Sequence, residues 1–199
     1  GSNYLFQTST GRLSPIAKAY DISASWVGQT QTIEYKASDG LSIPAIVTWP
    51  VGTEEENLPL IVLPHGGPHA NDTQGFQWLA QYLSSRGYMV FQPNFRGSTG
   101  FGRDFETAGY GEWGHAMQTD IHDGVDGLVS LGWVDPERIC IVGASYGGYA
   151  ALAGAMMDPD RFACAAAIAP VTDLPDFMTY VVQRMGPKSF AYEFWSTSI

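Results

Sequence analysis

Positive charge is scarce in this sequence. Ten Lys and Arg stand against twenty Asp and Glu in 199 residues, a formal net charge of −10. Phosphate backbones and anionic membrane surfaces are held by Lys and Arg, so neither nucleic acid nor a membrane is an expected partner. Charge of either sign is sparse too, at 15% of residues against about 25% in an average soluble domain. With 45% hydrophobic residues, that balance excludes intrinsic disorder and implies that more surface than usual is buried. Cysteine is nearly absent. Cys140 and Cys164 are too few for a disulfide-rich scaffold, and both fall in apolar runs that read as strand interiors. They are expected to be buried, inert thiols. No basic flank with an apolar run opens the chain, so no signal peptide is visible. Gly1-Ser2 without an initiator Met resembles a cloning scar, and the sequence assigns the protein to neither cytoplasm nor periplasm. Ile139 through Met157 carry no charge, but the middle of that stretch reads G-A-S-Y-G-G-Y, too polar and glycine-rich for a lipid-facing helix.

Residues 3–29 mix scattered hydrophobics with turn formers and read as a lead-in. Order sharpens afterwards. Thr32-Ile33-Glu34-Tyr35-Lys36 alternates, Ser38-Asp39-Gly40 signals a turn, and a β-rich run from Leu41 follows, which together predict a hairpin. Pro44 within the second arm predicts an edge strand or a bulge. Glu54-Glu55-Glu56 reads as a solvated loop. Beyond it, short apolar strands (60–63, 88–91, 138–142, 163–169) alternate with helical patterns. Phe76, Leu79, Ala80 and Leu83 share one helical face. Met117, Ile121, Val125, Leu128 and Val129 share another, and 145–157 is a third helix. The alternation predicts an α/β fold with a mainly parallel sheet and helices on both faces.

The chemistry sits at Gly143-Ala144-Ser145-Tyr146-Gly147, a G-x-S-x-G nucleophile elbow between a strand and a small-residue helix. The serine occupies a sharp turn, and the glycines two positions either side let strand and helix approach. Ser145 Oγ would then stand exposed, with the Tyr146 N–H at a helix start facing a developing oxyanion. The first strand of the α/β portion ends in Pro64-His65-Gly66-Gly67-Pro68, whose glycines would bring further N–H groups to the same oxygen.

L-P-H-G-G-P-H, P-N-F-R-G-S-T-G-F-G, D-I-H-D-G-V-D-G-L and G-W-V-D-P-E-R-I-C-I-V-G-A-S-Y-G-G-Y-A-A-L occur here in one order. Together they resemble the catalytic domain of the prolyl oligopeptidase family of serine peptidases, nearest its acylaminoacyl-peptidase and dipeptidyl-aminopeptidase branches. The resemblance runs from about Thr30 to the end and implies an α/β-hydrolase fold. The stretch from Tyr4 to Tyr20 resembles the exit from that family's β-propeller, so the implied domains are a lead-in at 1–29 and a partial catalytic domain at 30–199. The resemblance makes Ser145 the nucleophile and the N–H groups of Tyr146 and Gly67 the oxyanion donors. A Tyr hydroxyl serves as donor in the dipeptidyl-peptidase branch at the position of His65. Ala169-Pro170-Val171, with Leu174 and Phe177, matches the lining of the family's S1 pocket and implies an apolar P1 residue on a short peptide substrate. No cofactor and no metal are implied.

Histidine is missing where that fold needs it. His65, His69, His115 and His122 all precede Ser145, whereas the order of the fold is nucleophile, acid, histidine. The triad Asp and His are therefore expected outside this chain, along with the last strands of the sheet. Asp173 is expected to play a local turn role. Three readings stay open at this point: a peptidase, a carboxylesterase with the same elbow, and a non-catalytic piece. With later strands absent, strand 163–169 would offer an open edge near Cys164 and Ile168, to be covered by a missing segment or by self-association.

Weaker signals lead to structural roles. Gly109-Tyr110-Gly111-Glu112-Trp113-Gly114 spells G-x-G-x-x-G but follows no strand, so no dinucleotide is expected. Asp120, Asp123 and Asp126 lack EF-hand spacing. Gly66-Gly67-Pro68 forbids the helix that would let His65 and His69 share a zinc ion. Arg96 is expected to form an ion pair with a nearby acid.

Overall fold

The structure, a computed structural model, describes residues 2–18, 21–53 and 56–199. Of the acidic run at 54–56 only Glu56 lies among them, and Tyr20 lies outside. The lead-in is more ordered than its composition suggests. Strands β1 (Ser2–Gln7) and β2 (Arg12–Lys18) pair antiparallel with each other, and a 3-10 turn spans Ala24–Trp26. The main sheet holds β3 (Thr30–Lys36), β4 (Ser42–Thr48), β5 (Leu58–Val62), β6 (Met89–Pro93), β7 (Val134–Ala144) and β8 (Cys164–Ile168). Their order is β3-β4-β6-β5-β7-β8. The first two pairings are antiparallel and the other three parallel, as the strand–helix alternation predicts.

Helix α1 (Trp78–Ser84) covers one face, where Ala80 packs with Leu63 and Val90. Phe76 precedes that helix instead of sharing its face. Short α2 (Arg103–Thr107) leads to α3 (Ala116–Ser130), whose Met117, Ile121, Val125 and Leu128 are buried at helical spacing against the opposite face. There α4 (Tyr146–Met157) joins them with Ala150 and Ala151, over Val62, Phe91 and Ile141 from the sheet. Each fully buried aliphatic or aromatic side chain of this layer contributes about 1.5–3 kcal/mol. Helices α5 (Leu174–Met185) and α6 (Phe190–Ser198) complete the chain and pack on each other. Among the described residues no helix is long and apolar enough to cross a membrane.

Two expectations fail here. Pro44 lies in neither an edge strand nor a bulge, since β4 runs between β3 and β6 with a regular β3 register. It is tolerated because it stands just beyond the last β4–β6 pair, where the Asn94 N–H donates to its carbonyl. Its missing N–H therefore falls where the ladder ends.

Cys140 and Cys164 are not buried thiols. They form a disulfide, with Cα atoms 4.7 Å apart. The two residues are register partners on adjacent parallel strands. Cys164 is exposed and Cys140 half-buried. The bridge closes a loop of sequence separation 24 around α4. In the loop-entropy view such a closure is worth about 3 kcal/mol. Chemical denaturation with and without a dithiol reductant should differ by about that amount. Thiol titration of the unfolded, non-reduced chain should find no free thiol.

Candidate active site

Ser145 connects β7 to α4 with φ 57° and ψ −121°, in the left-handed region a serine rarely adopts. Such strain costs about 1–3 kcal/mol and persists only where the surroundings over-determine it. Here two backbone contacts do so. A Cβ on Gly143 would lie 2.1 Å from the Gly147 carbonyl oxygen, and a Cβ on Gly147 would lie 2.2 Å from that of Pro64. The turn is also tied to the sheet edge, because the Ser145 N–H donates to Ile168 O at 3.0 Å. The serine is exposed at the start of α4. The predicted elbow is present.

The loop after β5 lies directly beside it. A Cβ on Gly66 would come within 3.5 Å of Ser145 Cβ and 3.3 Å of Ala144 O. Gly67 adopts φ +135°, a conformation that favours glycine, and its peptide bond to Pro68 is cis. Among the described residues neither the Gly67 N–H nor the Tyr146 N–H donates to a protein acceptor. His65 braces this loop: its Nδ1 is 2.8 Å from Gly66 O and its Nε2 is 2.9 Å from Ser98 Oγ. Its ring stacks on Phe95 at 4.5 Å, and Phe95 packs on Tyr146. Burial holds the His65 imidazole below its usual pKa, outweighing the Gly66 carbonyl and Asp72, which act upward. The ring is neutral near pH 7.

Arg96 forms the expected ion pair, and more besides. Its Nε and one terminal nitrogen fork onto Asp120 at 2.9 and 2.7 Å, its other terminal nitrogen meets Asp39 at 2.8 Å, and its N–H donates to Asp120. Asp120 is fully buried, and burial pushes its carboxyl upward more than Arg96 draws it down. The neighbouring acids are equally occupied: Asp123 accepts from the Ser38 N–H, and Asp126 pairs with Arg161. Among the described residues no cluster of His, Cys, Asp and Glu could hold a metal ion.

The other sequence candidates divide. Tyr146 offers only its backbone, because its ring is buried between Phe95, Trp113 and Tyr149. Val171 and Leu174 are half-buried against the main core, and Phe177 packs edge-on against Trp195 at 5.2 Å. Pro170 touches the first turn of α4, which brings this wall alongside the elbow. Sequence reasoning missed Trp195, although four aromatics at positions 190, 192, 194 and 195 signalled a packed helix. It also missed the tie between His69 Nε2 and Ser198 Oγ at 2.7 Å, which pins α6 to the loop after β5. Asp173 has the local role expected of it: it caps α5 by accepting from the Asp176 N–H. None of the four histidines is hydrogen-bonded to Ser145: His65 and His69 are held as above, and His122 meets Gln118.

The arrangement can receive a carbonyl carbon at Ser145 Oγ and its oxygen at two backbone donors. Its tolerance is small. Gly147→Ala should destabilise the chain by about 1–3 kcal/mol in urea unfolding, because the new methyl would overlap Pro64 O.

The chain is similar to known proteins in both sequence and structure. The prolyl oligopeptidase family profile matches residues 74–192, well over half of the chain. Dipeptidyl aminopeptidase BIII of Pseudoxanthomonas mexicana is 37% identical over 184 residues, covering 83% of this chain and 27% of that protein. An acylamino-acid-releasing enzyme of Arabidopsis thaliana is 38% identical over 128 residues, 60% of this chain and 17% of that one. Among solved structures, a puromycin-hydrolyzing peptidase of Mycobacterium tuberculosis superposes with a TM-score of 0.85 at 26% identity, over 100% of this chain and 30% of its own. The chain thus spans under a third of the length of these relatives. Its fold is that of the α/β-hydrolases, and the chain belongs to the prolyl oligopeptidase family.

Proposed function

We propose that the protein containing this chain is a serine peptidase that cleaves short peptides through an acyl-enzyme at Ser145. The observation that carries the reading is the strained, exposed Ser145 beside two unengaged backbone N–H groups. Ser145 Oγ attacks the scissile carbonyl, and the carbonyl oxygen becomes an oxyanion between Gly67 N–H and Tyr146 N–H. His65 acts behind this site. By holding Gly66 O it orients the peptide unit whose other end is the Gly67 N–H. Collapse of the tetrahedral intermediate expels the amine and leaves the acyl group on Ser145. Water then attacks the ester and restores the serine. All four histidines of this chain precede Ser145, whereas in this fold the histidine follows the nucleophile, so the general base is an imidazole later in the protein, which takes the Ser145 proton and returns it to the leaving amine. Val171, Leu174 and Phe177 form the wall for an apolar P1 side chain. Relatives named as a dipeptidyl aminopeptidase and a puromycin-hydrolyzing peptidase support amide substrates.

A carboxylesterase would use the same elbow, and side-by-side kinetics on aminoacyl-naphthylamides and p-nitrophenyl esters separate the two. The intact protein should cleave the naphthylamides and label at Ser145 with a fluorophosphonate. Ser145→Ala should lower kcat by about 10⁴-fold or more. Cleavage of esters alone would overturn the peptidase reading.

The same reading assigns an occupant to the edge of the sheet. β8 is the outermost strand, and Cys164 and Ile168 on it are exposed. A further segment of the same protein, or a second copy, covers this edge. Light scattering on the 199-residue chain should show association, and a stable monomer with a cooperative melt counts against it.

A further inference from the structure

We propose that Trp195 sets the size of P1 side chain this site accepts: its indole, braced by Trp113, stands behind Phe177 and fixes how far that wall lies from Ser145. The inference rests on the peptidase function and the P1 wall proposed above.

The wall needs such a support. Its near end is anchored, because Pro170 lies against the first turn of α4 and Asp173 caps α5. Beyond that point α5 packs on α6, and Val181 is its only buried residue. Phe177 stands edge-to-face with Trp195, the ring centroids 5.2 Å apart and the planes at 83°. Trp195 stands edge-to-face with Trp113 at 6.2 Å and 88°, and Trp113 with Tyr146 at 4.5 Å and 79°. Tyr146 follows the nucleophile, so three ring contacts in series join the elbow to the wall. Each has the near-perpendicular geometry that aromatic quadrupoles favour. Aromatic rings do not flex, so the series has a definite length.

The bridge is held along its course. Trp113 is buried inside the G-x-G-x-x-G run at 109–114, where Gly111 and Gly114 both adopt φ +72°. A Cβ on Gly114 would lie 2.8 Å from the Tyr149 hydroxyl oxygen, and the Gly111 N–H donates to Ser198 O. That glycine run thus packs an indole and fastens a helix. With the contact of His69 Nε2 to Ser198 Oγ at 2.7 Å, it pins the end of α6 about one turn after Trp195. A shorter side chain at 195 would leave a void behind Phe177. The Phe177 ring would tilt into that void and deepen the pocket, so large P1 side chains would gain contacts and small ones would lose them.

Kinetics on the intact protein test this, with aminoacyl-naphthylamides that differ only in carrying Ala or Phe at P1. Trp195→Leu should raise the preference for Phe over Ala by about tenfold, the scale on which an apolar pocket tells side chains apart. Trp195→Phe should shift it less, in the same direction. Labelling by a small fluorophosphonate without a P1 group should keep the wild-type rate, since Ser145 and its two donors are untouched. In a Phe177→Ala background Trp195→Leu should change the preference no further, because it acts through that ring. An unchanged preference in both Trp195 variants, with Phe177→Ala altering it, overturns the inference and leaves the P1 wall standing. So does a uniform loss on both substrates matched by slower labelling, which a merely structural role would produce. If Phe177→Ala leaves the preference unchanged too, the wall falls and the inference with it. If Trp195→Leu does not fold, Trp195→Phe decides. An intact protein that cleaves neither amide overturns the peptidase function together with this inference.

Discussion

Backbone meeting backbone at Pro64 and Gly147 is the constraint on which the rest of this structure depends. With 2.2 Å between the Pro64 oxygen and the place a Gly147 Cβ would take, the loop after β5 and the start of α4 are in direct contact. That closeness sets the 64–68 loop directly against Ser145. It also leaves Ser145 no relaxed conformation, because the helix cannot withdraw while β7 remains paired on both sides. The turn and the loop are therefore held in place by the fold itself, the preorganisation that the proposed oxyanion site would need.

Behind the site lies a polar scaffold in a charge-poor protein. The buried Arg96–Asp120 pair is costly to desolvate and gives little net stability against an apolar pair of similar volume. Its geometric effect is larger. Three hydrogen bonds from one residue to one carboxylate fix residues 95–98, and these carry both the ring under His65 and the hydroxyl beside it. A fully apolar core could bury as much surface without fixing the direction of a single N–H.

How much of this was legible in the residues depended on the range of the interaction concerned. The elbow, its two glycines and the helix after it are local, and the motif states them completely. The α3 face was readable from its spacing, and Asp173 from its place before a helix. The disulfide was not readable, because Cys140 and Cys164 become neighbours only when β7 and β8 pair in one particular register. Pro44 misled for a related reason. Its missing N–H is harmful only if a partner strand extends that far, and β6 stops one residue short.

The sequence by itself determined the class of fold, the tight turn at Ser145 and the glycine loop after β5, since these rest on period, turn chemistry and steric demands within a few residues. Tertiary structure alone decided what surrounds them. It buried the Tyr146 ring, set Trp195 behind Phe177, tied His69 to α6 and placed Ser98 against His65, 33 residues away in the chain. Those contacts come from separate elements whose approach is fixed by sheet order and helix packing, so no local pattern encodes them.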